Sequence, residues 1–359
     1  MKMNKFKSFI TAVTMIIAVI TILPSCKKDK VVTPPADVTQ LSLAITAATT
    51  LHSGSTEGTK PGNYAVGSKA AFKTNIDLAT AVKNGGTTDA AIVTNAISNL
   101  NQATLLFQGK LIQEVSVANL MANWKFDGNA NDATANVNNG TLKGGWKGAS
   151  AATASLSTTL PTLVPDRFAR ANSAYTFSDG AYIEVPYKLA LNPPAMSISL
   201  WVKRSGTNEN NIMVALNRWN GFKFQLQSAN KLFTTVATVT SPNGIFDRDS
   251  EGGIVADATW THVATTYVDG TMRFYINGVV QTTTWVQPVG AIKALLTPMA
   301  FTIGQQYPAS IPVTTLADTH ENYYWAPSFF IGAMDDVRFY NKALTGAEVL
   351  SIFTFESTL

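Results

Sequence analysis

Apolar residues recur at helical spacing in three segments of the chain between residues 38 and 116. Their positions are Leu41, Ala44, Ile45, Ala48 and Leu51, then Phe72, Ile76, Ala79 and Val82, then Val93, Ala96, Ile97, Leu100, Ala103 and Phe107. Spacings of three and four place each set on one helical face, and each face needs another to cover it. Gly85 and Gly86 separate the second helix from the third, and Thr88 is placed to cap the third. We therefore predict a small antiparallel three-helix bundle over residues 38–116.

After residue 116 the pattern changes to alternation. Apolar and polar residues alternate over 196–203, 222–226 and 272–277, which is typical of strands with one buried face. Asn277 and Gly278 close the last run, and Asn-Gly after an alternating run predicts a type I′ hairpin because both turn positions need a positive φ. The sequence therefore predicts a mainly β chain, in which residues 117–359 form one antiparallel two-sheet sandwich after the all-α bundle.

The residues before the bundle form a leader and a tether. Three lysines precede an apolar run over residues 9–23, which has the length of a signal-peptide core and is shorter than the roughly 20 residues that span a bilayer. Charged residues and two prolines follow over residues 26–37 without any core pattern. We predict a signal peptide over residues 1–25 and a flexible tether over 26–37.

Cys26 is the one cysteine of the chain, at the border between the leader and the tether. With Leu23 and Ser25 before it, Cys26 resembles the lipobox cysteine of bacterial lipoproteins, and the charged residues after it resemble the surface-export signals of Bacteroidetes lipoproteins. That resemblance implies lipidation of Cys26 and a place at the bacterial outer membrane, on the periplasmic or the cell-surface side. The alternative is a secreted protein with an unmodified cysteine.

The charge balance argues against a nucleic-acid partner. The chain has 27 basic and 23 acidic side chains, and removal of the leader takes three of the lysines and leaves 24 against 23. The mature chain is thus nearly neutral and shows no basic stripe of the kind that binds phosphates. No second long apolar run follows the leader, so we predict no transmembrane helix in the mature chain.

Both predicted bodies resemble known bacterial families. The three helices, with the loop over 58–64 between the first two, resemble the FIVAR-type bundles of bacterial surface proteins. Seven segments of the sandwich resemble, in order, the LamG domain of the concanavalin A-like superfamily: 120–132 with 138–142, 182–186, 198–202, 260–264, 273–278, 301–304 and 332–341. This second resemblance implies a jelly roll of two stacked sheets that is often lectin-like and often binds calcium.

Hydrolases of the laminarinase type occur in the same superfamily, so the arrangement of the carboxylates decides whether the sequence predicts an enzyme. Retaining hydrolysis needs two carboxyl groups about 5 Å apart, and those enzymes carry them in a Glu-x-Asp-x-Glu run that this chain lacks. Glu184 stands alone on its predicted strand. Asp247, Asp249 and Glu251 fall in what the sequence suggests is a solvated Gly-rich loop. We therefore predict a protein that is not an enzyme.

Calcium is the one cofactor that the sequence suggests. Asp127, Asn129 and Asp132 place side-chain oxygens in a short loop, and Ca²⁺ takes six to eight oxygen ligands. Asp335 and Asp336 lie on the predicted last strand, where the resemblance places an aspartate that reaches a structural calcium in relatives. The alternative is that the loop carboxylates cap turns and that Asp335 or Asp336 pairs with Arg338.

Two aromatic segments are candidates for a ligand surface. Trp219 lies beside asparagines, and Tyr323, Tyr324 and Trp325 follow each other in a predicted loop. Sugars stack their C–H faces on aromatic rings, while amides and carboxylates bind the hydroxyl groups. The alternative is that these rings pack onto the sandwich.

The sequence thus favours a non-catalytic, lipid-anchored envelope protein that binds a glycan or a glycoprotein, with calcium as a possible requirement. The rival prediction is a structural or adhesive module that binds a protein partner. A degenerate hydrolase or an accessory to glycan processing is the third alternative.

Overall fold

The computed structural model describes residues 34–58, 60–112, 115, 117–206, 210–217, 221–240, 244–295, 297–313 and 327–357. The chain begins with α1 (Thr39–Gly54), α2 (Ser68–Asn84) and α3 (Ala90–Gln108), and a fourth helix, α4 (Gly346–Glu356), follows the last strand. The three predicted helices are confirmed. The cap of α3 differs by one residue from the prediction, because the carboxylate of Asp89, rather than Thr88, accepts from the backbone N–H of Ala91.

The strands of the first half are β1 (Leu120–Trp124), β2 (Thr141–Gly144), β3 (Trp146–Lys147), β4 (Ser155–Leu156), β5 (Thr162–Val164), β6 (Ala174–Phe177), β7 (Ala181–Val185) and β8 (Met196–Arg204). Those of the second half are β9 (Asn211–Leu216), β10 (Phe222–Leu226), β11 (Leu232–Ala237), β12 (Ile245–Asp249), β13 (Thr261–Val268), β14 (Thr271–Ile276), β15 (Val279–Val280), β16 (Phe301–Ile303) and β17 (Gly332–Tyr340). Asp247 and Asp249 therefore lie on a strand, not in the solvated loop that the sequence suggested.

The strands form two antiparallel sheets, as predicted. The first sheet has eight strands in the order β15-β14-β13-β8-β17-β6-β5, with β1 also paired to β17. The second sheet has seven strands in the order β12-β11-β10-β9-β16-β7-β2, and β3 and β4 form a separate hairpin. The first and last strands of the sandwich are thus neighbours, as expected of a jelly roll. The Asn277-Gly278 hairpin is also present, with φ of 49° and 74°.

Alternating side chains of both sheets fill the space between them. The core includes the largest fully buried rings of the sandwich, among them Trp124, Phe222, Phe224, Phe274 and Phe301. The outer face of the first sheet has a second apolar cluster, in which α4 packs Val349 and Ile352 onto the sheet. The helix α4 thus covers part of the outer face of the first sheet, and the candidate site lies on the outer face of the second sheet.

Candidate functional site

A row of mostly polar side chains crosses the outer face of the second sheet. Cross-strand pairs link one residue from each strand: Asp247, Thr235, Lys223, Ala215, Thr302, Glu184 and Thr141. Directly opposed residues in a sheet share a face, and the neighbours of these residues along each strand point into the core. We call these seven residues the polar row. Four of its members, Lys223, Ala215, Thr235 and Thr302, are at most 3% exposed.

A second line of residues lies beside the polar row. Phe233 is opposed by Gln225 on one side and by Asp249 on the other, and the Lys223 ammonium lies 5.2 Å from the centroid of the Phe233 ring. Gln225 Nε2 donates to Asn210 Oδ1 at 3.2 Å. Gln225 Oε1 and Asp249 Oδ1 are buried and have no hydrogen-bond partner among the described residues.

The hairpin that joins β10 and β11 also has buried oxygens of this kind. Gln227 Oε1 and Asn230 Oδ1 are also buried oxygens without a partner in the described part of the chain. We call Gln225, Gln227, Asn230, Phe233 and Asp249 the acceptor patch. Buried polar atoms are rarely left without hydrogen bonds, so these four oxygens stand out among the described residues.

Electrostatics within this face follow from burial. Burial, with the nearby charge of Asp247, raises the pKa of Asp249, while Lys231 acts in the opposite direction. At the far end of the polar row, burial raises the pKa of Tyr182, whose hydroxyl donates to Glu184 Oε2 at 2.6 Å and accepts from the backbone N–H of Ala309. The loop around Ala309 therefore covers the Glu184 end of the face, and the acceptors without a partner among the described residues lie at the Asp249 end.

The predicted metal residues fall into two groups with different partners. Asp127 and Asn129 lie exposed in a turn, in which Asn129 Oδ1 accepts from the backbone N–H of Asn131. The Asp132 carboxylate accepts four hydrogen bonds, from the backbone N–H groups of Asn123, Thr134 and Asn138 and from the Thr134 hydroxyl, all within 2.9 Å. Its two oxygens therefore anchor the turn.

Asp335 and Asp336 point to the same side of β17, although neighbouring strand residues normally alternate. The register with β8 shifts between Asp335 and Arg338, and Asp336 has a φ of 46°. A bulge of this kind reorients a side chain, and both carboxylates reach Arg167. Arg338 pairs instead with Glu356 at 2.5 Å.

The prediction of one calcium site at these five residues stays untested. Among the described residues, no group of three or more His, Cys, Asp or Glu side chains is placed to hold a metal ion. The side-chain oxygens of Asp132, Asp335 and Asp336 face hydrogen-bond donors of the protein.

His262 has the core role that its place on a strand suggests. Its Nε2 lies 2.8 Å from the Ser199 hydroxyl, and the side chain is fully buried beside Trp201. Burial, with the charges of Arg338 and Arg167, lowers the pKa of His262 to about 3. The imidazole is therefore neutral at physiological pH.

The predicted ligand residues Trp219, Tyr323, Tyr324 and Trp325 lie outside the described residues, as does Cys26. Sequence reasoning missed the acceptor patch. The alternation of Lys223 and Gln225 with Phe222, Phe224 and Leu226 was the available signal, because it puts both polar residues on the face opposite the core. Within the described residues, none of the helices is long and apolar enough to span a membrane.

The helical bundle has a groove between α2 and α3. It has a volume of about 870 Å³ and is lined by apolar side chains that include Phe72, Leu78, Val82 and Leu106. Leu78 and Leu106 are each more than 60% exposed.

Comparison with known proteins supports the fold of the sandwich. Residues 177–350 match the family model described as the concanavalin A-like lectin/glucanases superfamily. No curated protein matches the chain.

Three solved structures are similar to the chain at low identity. Domain 4 of AbnA, a GH43 extracellular arabinanase from Geobacillus stearothermophilus, in complex with arabinotriose, is 21% identical, with a TM-score of 0.45 over 65% of this chain and 98% of that one. The binding domain of Paraclostridial Mosquitocidal Protein 1 is 17% identical (TM-score 0.41; 66% of this chain, 52% of that one). The binding domain of botulinum neurotoxin serotype G is 13% identical, with a TM-score of 0.44 over 67% of this chain and 52% of that one.

The present chain spans about half the length of the two toxin domains. Likenesses of this size carry no information about ligands. The family match and the two stacked sheets together show that the C-terminal sandwich is a domain with the concanavalin A-like lectin/glucanase fold.

Proposed function

We propose that the sandwich is a carbohydrate-binding module without catalytic activity, and that the acceptor patch is part of its binding surface. The observation that carries the proposal is the pair of buried oxygens, Gln225 Oε1 and Asp249 Oδ1, that flank Phe233 across the strands and have no hydrogen-bond partner among the described residues. A sugar offers hydroxyl donors around a ring with apolar C–H faces. Specific sites of this type combine an apolar surface with a few well-placed polar groups.

The positions of the carboxylates support the absence of catalysis. Glu184 and Asp247 are members of the same row but lie on β7 and β12, five strand spacings apart. At about 4.8 Å per spacing their strands are roughly 24 Å apart, far beyond the 5 to 10 Å of a glycosidase pair. Asp247 and Asp249 are close enough, but the Thr235 hydroxyl already donates to Asp247 Oδ1 at 2.5 Å.

Oligosaccharide binding, measured first on a glycan array and then by calorimetry, tests the proposal. We expect Gln225→Ala and Phe233→Leu each to weaken binding at least tenfold, because the first removes an acceptor and the second a ring. Asp257→Asn is the matched control, since Asp257 is an exposed acid that pairs with Arg204. If only Trp325→Ala or Trp219→Ala abolishes binding, the aromatic loops and not the acceptor patch hold the sugar.

Release of reducing sugar from any polysaccharide would contradict the non-catalytic proposal. Asp249 is the residue to examine in that case, because burial raises its pKa beside a second carboxylate, as in a general acid. Loss of the hydrolysis in Asp249→Asn, with unchanged binding, would establish the third alternative from the sequence.

A protein-binding or adhesive role is the second candidate, and the α2/α3 groove is the observation that favours it. Exposed apolar side chains in a groove are common at protein contact surfaces. Capture of a partner that competing sugars do not displace, and that Leu78→Asp with Leu106→Asp abolishes, would support this role over carbohydrate binding.

We also propose that the protein is attached to the bacterial outer membrane through a lipid on Cys26. The support is the apolar leader that ends at the one cysteine of the chain. Growth with an alkyne-bearing fatty acid should label the wild type, and Cys26→Ser should lose both the label and membrane attachment. An unlabelled wild-type protein free in the medium would contradict the anchor.

A further inference from the structure

Three oxygen atoms converge on the guanidinium of Arg167. Arg167 Nη2 donates to Asp336 Oδ2 at 2.7 Å and to the backbone carbonyl of Glu356 at 2.8 Å, and Nη1 donates to Asp335 Oδ2. Arg167 Nε donates to the same Glu356 carbonyl at 3.0 Å. The Arg167 side chain is only 4% exposed, so its charge is neutralised by these neighbours and not by water.

Aromatic rings and a further carboxylate surround this guanidinium, and groups of this kind stabilise a cation. The Trp201 ring centroid lies 4.7 Å from Arg167 Cζ, and the Phe168 ring centroid lies 4.8 Å from it. Glu356 holds the neighbouring charges, since its Oε1 accepts from Arg338 and its Oε2 from the Trp201 indole. Removal of one member of such a buried group leaves the others uncompensated.

The same oxygens have the chemistry that a divalent cation requires. Calcium is bound by carboxylate and backbone carbonyl oxygens, and two carboxylates with one carbonyl are what the bulge of β17 and the end of α4 present. The guanidinium occupies that position, however, with every one of its three nitrogens donating to these oxygens. A calcium ion at Asp335 and Asp336 therefore does not fit while Arg167 is in place.

We propose that Arg167 is the permanent cation of a calcium-type oxygen cluster, and that it makes the folding of the sandwich independent of divalent metal. Arg167 joins β17 to the C-terminal end of α4 in the way that a bound ion would. Its removal leaves the two carboxylates and the carbonyl as an open cation site. This inference does not depend on the proposed carbohydrate binding.

Thermal unfolding with calcium or with EDTA tests the first half of the proposal. The wild-type midpoint is expected to be the same in both conditions. Arg167→Ala is expected to unfold at a lower temperature in EDTA and to recover part of the loss in calcium. Arg167→Lys is the matched control, because it keeps a positive charge and should stay insensitive to calcium.

Terbium luminescence tests the second half, with Trp201 as a built-in donor of excitation energy. In Arg167→Ala, tryptophan excitation should produce Tb³⁺ emission, and added Ca²⁺ should abolish that emission. The wild type should give no Tb³⁺ emission. Arg167→Ala with Asp335→Asn should lose the signal as well. Should Arg167→Ala fail to fold in EDTA, refolding in calcium supports the proposal, and failure in both conditions contradicts it.

A wild-type midpoint that falls in EDTA, and whose calcium response Asp335→Asn abolishes, would overturn the proposal. So would an Arg167→Ala variant that folds but neither binds Tb³⁺ nor responds to calcium. In the first case the wild-type carboxylates bind metal in spite of Arg167. In the second case the oxygens form no cation site.

Discussion

Asp335 is a residue whose ionisation makes the stability of the fold depend on pH. Burial and the neighbouring charge of Asp336 raise its pKa to about 8, and burial raises the pKa of Glu356 as well. A carboxyl with a higher pKa in the folded state takes up a proton on folding. Its contribution to stability is complete below the unfolded pKa and is lost as the pH rises through the folded pKa.

We therefore expect the unfolding midpoint of the sandwich to fall as the pH is raised from about 6 to about 9. All seven tryptophans follow residue 116, so their fluorescence reports this domain. Asp335→Asn removes the titration and should reduce the slope, while Asp257→Asn, at an exposed acid, should keep it. A midpoint that rises over this range contradicts the assignment.

The partner of Asp335 shows what the sequence could not supply at this scale. The alternative interpretation of the sequence was that Asp335 or Asp336 pairs with the nearby Arg338. The bulge at Asp336 turns both to one face, and their partner, Arg167, lies 168 residues from Asp335. Neither a positive φ at an aspartate nor a contact of that sequence separation leaves a local pattern.

At the scale of elements, α4 depends on the turn between β14 and β15. A Cβ at Gly278 would lie 2.9 Å from Leu350 Cδ1 and 3.2 Å from Phe353 Cδ1, whereas a Cβ at Gly270 would meet nothing within 4 Å. Both glycines have a positive φ, of 74° and 77°, so alanine is strained at either position.

Gly278→Ala should therefore destabilise the sandwich more than Gly270→Ala, whose cost of about 1 kcal/mol comes from the backbone alone. The difference measures the packing of α4 on the hairpin. Denaturant unfolding followed by tryptophan fluorescence gives both values. Equal losses for the two variants would show that α4 does not contact the turn closely.

The start of α4 has a capping box. The Thr345 hydroxyl accepts from the backbone N–H of Glu348, and the Glu348 carboxylate accepts from the backbone N–H of Thr345. Thr345→Ala should cost about 1 kcal/mol of the free energy of unfolding. Thr345→Ser keeps the hydroxyl and should lose much less in the same denaturant titration, and an equal loss would argue against the cap.

Elements with a regular pattern could be predicted from the sequence, and irregular ones could not. The three helices and strands β8, β10 and β14 follow their apolar periods closely. The run over 245–249 was mistaken for a loop because its glycine-rich surroundings and charges hid a strand that lies at the edge of the second sheet. Charged side chains are common on edge strands, because they discourage pairing with another chain.

At the scale of the molecule, the bundle and the sandwich have separate cores. Phe72 stacks on Phe107 at 4.5 Å between ring centroids, and Phe107 stacks on Tyr64 at 4.2 Å. The core cluster that contains these rings shares no residue with that of the sandwich. The two bodies should therefore unfold as separate units.

Phe72→Ala should destabilise the bundle by about 3 to 5 kcal/mol and leave the sandwich unchanged. Helical circular dichroism should then be lost at a lower temperature, while the tryptophan transition stays at its wild-type midpoint. Leu106→Ala, at an exposed position of the same bundle, should change little. A common shift of both signals would mean that the two bodies unfold together.

The division into bundle and sandwich followed from apolar periods, because each body buries its own pattern. The acceptor patch could not be predicted from apolar periods, because Phe233 and Asp249 become neighbours of Gln225 only through the register of three strands. Registers of this kind are set by the whole sheet and by its turns.

The pairing of β1 with β17 also determines when the domain can close. Leu120 emerges early in synthesis, yet its partner in the sheet is Tyr340, and the α4 residue that holds Arg167 is Glu356. In a growing chain, β1 therefore has no native strand partner until nearly all of the domain has left the ribosome. We propose that the protein is exported. Because the sandwich can complete its fold only after its last helix has been made, the chain would stay unfolded enough to pass through a translocation channel.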